Sequence, residues 1–102
     1  MPDSKMLTQR EALDLILNHY GAQKQELQAV QELSELILLL AARPDQRGQD
    51  YKKRITEEIA DCSIMLEQVK MMHEISDDDI MDTVVYKLMR QINRVNKELH
   101  DG

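Results

Sequence analysis

The sequence predicts an all-α fold: a single-domain, four-helix protomer spanning residues 1–102 that assembles into an oligomeric helical bundle. Glycine and proline are scarce, three and two in 102 residues, so few points interrupt a helix. Leu, Met, Glu, Gln and Lys are abundant, and no run alternates β-branched with polar residues as a half-buried strand would. Apolar residues instead recur at spacings of three and four, the period of one helix face.

The first helix is expected after Thr8, which forms a capping box with Glu11, and runs to about Tyr20. The residues before it, to about Leu7, are expected to fray. Leu13, Ile16, Leu17 and Tyr20 mark the side expected to be buried. Gly21 ends this helix, since glycine accepts the backbone angles a helix terminus requires. The second helix reads Gln23 to Ala42, with Leu27, Val30, Leu33, Leu36, Ile37 and Leu40 at helical spacing. From Leu36 to Ala42 it is apolar all round, which a small monomer cannot hide, so this stretch is expected at a subunit interface. Arg43 to Asp50 is rich in loop signals and turns the chain back on itself. Asp50 is expected to cap a third helix through about Met72, with the seam Ile55, Ile59, Cys62, Leu66 and Val69. Ser76 followed by Asp77, Asp78 and Asp79 is a helix start, the hydroxyl capping free N–H groups and the acids meeting the positive end of the helix dipole. The fourth helix then runs to about Leu99 with the seam Met81, Val85, Leu88, Ile92, Val95 and Leu99.

Two acidic repeats interrupt these apolar runs: Glu32-Leu33-Ser34-Glu35 and Glu58-Ile59-Ala60-Asp61. Acids three apart are neighbours on one helix face. Glu35 lies eight residues before Arg43 and Glu58 eight after Asp50. In an antiparallel pair this sets Glu35 level with Glu58, and Glu32 level with Asp61, each about 12 Å from the turn. Four converging carboxylates either raise one another's pKa or require a cation. Oxygen ligands without Cys or His suit Mg²⁺, with Mn²⁺ as a substitute, and argue against Zn²⁺. Mg²⁺ held this way shares its shell with water and substrate phosphates, which implies a phosphorylated ligand. If the third and fourth helices also pair antiparallel about Ile75, Lys87, Arg90 and Arg94 reach the height of the acids. There they would offset phosphate charge as a bond breaks.

Thirteen basic against nineteen acidic side chains give a net charge of −6, which opposes a nucleic-acid polymer as partner and favours a cytoplasmic protein. Three Tyr, without Trp or Phe, do not supply the stacking residues of a single-strand binder. One cysteine, Cys62, excludes an internal disulfide and reads as a small core residue. No apolar run has the length of a membrane span, so no membrane partner is expected, and the N-terminus lacks the pattern of a secretion signal.

From Gln25 to about Arg94 the sequence resembles the MazG-like superfamily of all-α nucleoside triphosphate pyrophosphohydrolases, whose signature is Glu-Glu-x-x-Glu, an intervening segment, then Glu-x-x-Asp. Here it reads Gln31-Glu32-Leu33-Ser34-Glu35, a gap of 22 residues, then Glu58-Ile59-Ala60-Asp61. His19-Tyr20-Gly21 and Tyr86-Lys87-Leu88-Met89-Arg90 are also similar to that family. Gln31 departs from it by replacing the first Glu; it lies about 100° around the helix from Glu32 and reads as a supporting side chain.

The resemblance implies a Mg²⁺-dependent enzyme that cuts the α–β phosphoanhydride of an NTP or dNTP, leaving the monophosphate and pyrophosphate. Glu32, Glu35, Glu58 and Asp61 would be the metal ligands and catalytic acids, one also handling the attacking water. Lys87 with Arg90, or Arg90 with Arg94, would contact phosphates. Gln25 would contact base or ribose. Arg54, one turn before Glu58, reaches a phosphate or, as favoured here, pairs with Glu58. Family members are dimers or tetramers in which neighbouring subunits help build each site, and a role in clearing unwanted nucleotides would follow. Two rivals remain: a hydrolase of phosphoribosyl-ATP, which would use the same acids, and a non-enzymatic helical adaptor whose apolar faces serve assembly alone.

Overall fold

A computed structural model describes residues 6–101 of the chain. Most of the segment expected to fray lies outside the described residues; Met6 and Leu7 are exposed coil. Four helices follow: α1 (Gln9–Tyr20), α2 (Ala22–Ala41), α3 (Tyr51–Met72) and α4 (Asp77–Asp101), with a 3₁₀ turn at Pro44–Gln46 between α2 and α3. No strand is present among the described residues, so the fold is all-α as the composition predicts.

The helix-end signals at Thr8, Gly21 and Ser76 act as read, and the one at Asp50 does not. Thr8 Oγ1 accepts from the Glu11 N–H at 3.1 Å, and Glu11 Oε1 accepts from the Thr8 N–H at 2.8 Å, so both halves of the capping box form. Gly21, at φ 87° and ψ 156°, donates its N–H to the Leu17 carbonyl and begins α2 in the same step. Only glycine occupies that region of backbone space cheaply. Ser76 Oγ accepts the Asp79 N–H at 3.0 Å and starts α4. Asp50 stands at the N-cap of α3, but its side chain makes no capping bond.

The organising unit is the antiparallel pair α2–α3, with α1 packed against both. Three rungs fix its register. Gln25 Nε2 donates to Gln68 Oε1 at 3.3 Å, the Cys62 thiol donates to the Glu32 carbonyl at 3.3 Å, and the Tyr51 hydroxyl donates to the Leu39 carbonyl at 2.9 Å. Gln68 is fully buried and also donates to the Leu13 carbonyl at 2.9 Å, tying α1 to the pair. Each of these interior polar groups has a partner, which makes the register specific, since a slip would orphan them all.

Two expectations about packing are corrected. The buried line of α3 is Glu58, Cys62, Met65 and Gln68, whereas Ile59 and Leu66 of the expected seam are about half exposed. Helix α3 carries two apolar faces, and the sequence does not say which meets its own chain. Tyr20 is likewise 50% exposed, lying edge-on to His19 beneath the Lys24 ammonium.

The larger correction concerns α4. It packs along none of the other helices, and no residue of it is buried. The chain leaves α3 through Glu74 at φ 54°, with the Ile75 N–H donating to the Lys70 carbonyl at 2.9 Å, a left-handed helix cap. Lys70 holds the junction, pairing with Glu67 at 2.9 Å and with Asp77 at 2.6 Å. The radius of gyration is 18.3 Å, against about 13 Å for a compact domain of this length, so the protomer is extended. Among the described residues only Ala29, Cys62 and Met65 are buried apolar residues, while Val85, Leu88, Ile92 and Leu99 on α4 and Leu27, Val30, Ile37 and Leu40 on α2 stay exposed.

Candidate metal centre

Both acidic repeats face the α2–α3 contact. Oxygens of Glu32, Glu58 and Asp61 lie within 4.8 Å of one another, a spacing at which these acids could hold a metal ion. Glu58 is buried, on the inward line of α3, and is close enough to Glu32 and Glu35 to share a proton with either. Glu32 is half-buried and takes a hydrogen bond on Oε2 from Gln28 Nε2 at 2.8 Å. Its other oxygen, Oε1, is buried without a partner. A buried carboxylate oxygen with free lone pairs is costly unless a proton or cation meets it. Glu35 lies beside Glu58, half-buried, with the Gln31 amide 3.5 Å from its Oε1, so Gln31 does stand behind an acid as expected.

Electrostatics record the crowding. The Glu58 pKa is pushed up to about 7 from its ordinary 4.5, first by a hydrogen bond shared with Glu32, then by burial, then by Glu35 and the charges of both neighbours. The Cys62 thiol beneath the cluster is also raised, mainly by burial and then by Glu58.

The sign of the resulting pH dependence is fixed. A carboxyl whose folded pKa is raised contributes stability that is complete below its unfolded value, near 4.5, and lost as pH rises through about 7. Glu11 and Asp77 are shifted downward from 4.5 and 3.8, so their contributions change only below that window. In EDTA, the midpoint of thermal unfolding is therefore expected to fall between about pH 5 and pH 8, and added Mg²⁺ to reverse much of the fall at the upper end. A midpoint flat across this range in EDTA contradicts the shared proton.

The acids open into a cavity of about 460 Å³ lined by Glu35, Glu57, Glu58 and Asp61 at one end and by Arg47, Tyr51 and Arg54 toward the loop, with Leu38, Leu39 and Ala42 as an apolar wall. Arg54 stands at this rim, exposed. Among the described residues it forms no ion pair with Glu58, correcting the pairing favoured from their spacing: Glu58 turns inward to the other acids. Lys87, Arg90 and Arg94 are exposed on α4 and are not brought to the acids within the protomer, because α4 does not fold back along α3. Gln25 is not at the cavity either; it is 6% exposed and spent on Gln68 in the interior.

Sequence reasoning missed Gln28, Arg47 and Tyr51. A signal for the arginines was present: Arg43, Arg47, Lys52, Lys53 and Arg54 put five of the thirteen basic residues within one short stretch of an acidic chain. Comparison of the chain with models of protein families, with curated proteins and with solved structures gives no match.

Proposed function

We propose that the protein is a Mg²⁺-dependent nucleoside triphosphate pyrophosphohydrolase, cutting an NTP or dNTP to its monophosphate and pyrophosphate. The observation that carries this reading is a cavity that presents crowded carboxylates beside the exposed guanidinium of Arg54. Acids alone select a cation, and an arginine alone selects an anion. A cavity with both, in a chain of net charge −6, suits a metal–polyphosphate pair. Its volume lies in the range of small-molecule sites, about 300–1,000 Å³.

The residues fit the ion. Glu32, Glu58 and Asp61 supply converging oxygens, Glu35 adjoins them, and the unpartnered Glu32 Oε1 is the atom a cation would satisfy. Bound Mg²⁺, with Mn²⁺ as substitute, would polarise phosphoryl oxygens and offset their charge. The protein's own groups do the rest. Water adds to the α phosphorus, the α–β bridging oxygen leaves with pyrophosphate, and one of the four carboxylates takes the water's proton. Arg54 faces the phosphates from the rim. Gln28 and Gln31 hold Glu32 and Glu35 in orientation.

We also read the protein as a homo-oligomer, dimer or tetramer. Its accessible surface is 8610 Å², against roughly 6,000 Å² for a compact monomer of this mass, an excess on the scale of a protein interface. The exposed α4 seam and the apolar face of α2 are the surfaces to be covered. A second copy lying along them would be the route by which Lys87, Arg90 and Arg94 reach a site.

The test is pyrophosphate release from a panel of standard and modified NTPs and dNTPs, with and without Mg²⁺. Metal-dependent release of pyrophosphate and monophosphate from at least one of them is expected. The exposed α4 seam favours one second reading, an adaptor that only assembles, and no turnover of any nucleotide would leave that reading standing. Turnover of phosphoribosyl-ATP alone would keep the acids' role and change the substrate.

A further inference from the structure

The cavity has a second end with different chemistry. Arg47 Nε and Nη2 donate to the Ala42 and Leu40 carbonyls, both at 3.0 Å, closing the C-terminal turn of α2. Its guanidinium carbon lies 4.6 Å from the centre of the Tyr51 ring, and the Tyr51 hydroxyl is tied to Leu39. The guanidinium is thus seated over the ring, and hydrogen bonds hold both groups before any ligand arrives. A guanidinium carries five N–H donors, and these two bonds leave it others to offer a ligand. Both groups are half-buried and line the cavity next to the apolar wall of Leu38 and Leu39.

Their position along α3 matters as much as their chemistry. Tyr51 precedes Glu58 by seven residues, about 10 Å along the helix, with Arg54 between them. A ligand laid from the acids toward the loop meets carboxylates, then a cation, then a planar platform with an apolar side. That order matches metal-bound phosphates, a sugar, and a heteroaromatic ring. Gln25, the base contact implied by resemblance, is consumed in the interior and leaves that task open.

We infer that the Arg47–Tyr51 pair is the platform that holds the nucleobase, so that base preference is set by the α2–α3 loop. This rests on reading the acidic end as a metal–polyphosphate site. Base stacking on an aromatic or guanidinium plane, with a donor on the ring edge, is worth roughly a tenfold gain in affinity or more.

The test is binding, with Mg²⁺ present, of inorganic tripolyphosphate and of the α,β-methylene analogues of ATP, GTP, CTP and UTP. The wild type is expected to bind at least one analogue about tenfold tighter than tripolyphosphate. Arg47→Ala should erase that margin and leave tripolyphosphate binding unchanged, while Tyr51→Phe, which keeps the ring, should retain it. A wild type that binds tripolyphosphate as tightly as every analogue overturns the platform and leaves the metal–polyphosphate reading intact, without recourse to any variant. An Arg47→Ala protein that keeps the margin, or loses tripolyphosphate binding in equal measure, also overturns it. A wild type that binds none of the five ligands overturns both readings.

Discussion

Glu58→Gln is expected to cut metal-dependent pyrophosphate release by on the order of 10²–10³-fold while raising the stability of the metal-free protein above about pH 7. The two effects have one origin. Glu58 sits buried between Glu32 and Glu35, and its raised pKa shows that a third negative charge there is unfavourable in the absence of a cation. The amide keeps the shape, donates where the shared proton stood, and removes the repulsion, so the fold gains. It also removes a charged oxygen from the three that converge within 4.8 Å, so the ion is lost. An adaptor would show the gain in stability without any functional loss. Circular dichroism melts in EDTA, set beside pyrophosphate assays, separate these outcomes.

Leu88→Asp combined with Ile92→Asp is expected to split the oligomer. Both residues are more than half exposed in the protomer, at 57% each, and α4 packs along no other helix of its own chain. If each side chain is buried by a second copy, each contributes about 1.5–3 kcal/mol, so losing both and inserting two charges weakens assembly by at least roughly 10²–10⁴-fold. Sedimentation should show the mass falling from a multiple of 11.9 kDa to the protomer value. Activity should fall with it if cations of α4 serve a neighbouring site. An unchanged mass would mean that this seam faces solvent.

What the sequence revealed and what it hid divide along a physical line. Local codes were legible: Thr8 with Glu11, Gly21, and Ser76 set helix ends within a residue or two, because a cap depends on atoms three or four positions away. The α2–α3 register was legible too: loop signals from Arg43 to Asp50 turn the chain back, and Glu32 and Asp61, predicted level with each other, come together with Glu58, whereas Glu35 stands beside that group and not within it. The course of α4 was not. Its heptad seam would suit α3 of its own chain as well as a helix of another, and the left-handed residue after α3, Glu74, has no sequence signal as clear as a glycine. For the same reason the spacing points Ile59 and Leu66 inward together with Cys62, whereas of the three only Cys62 is buried, on a line with Glu58, Met65 and Gln68. Arg47 was overlooked because its role depends on reaching back to Leu40 and Ala42, a loop geometry that spacing rules do not encode.

The most direct test of the central claim is the anomalous scattering of manganese in crystals grown with Mn²⁺. A peak bridging Glu32, Glu58 and Asp61, with carboxylate oxygens at roughly 2.0–2.3 Å, is the predicted result. Contradiction would be a map empty at that position at saturating Mn²⁺, with the three carboxylates still sharing protons between α2 and α3.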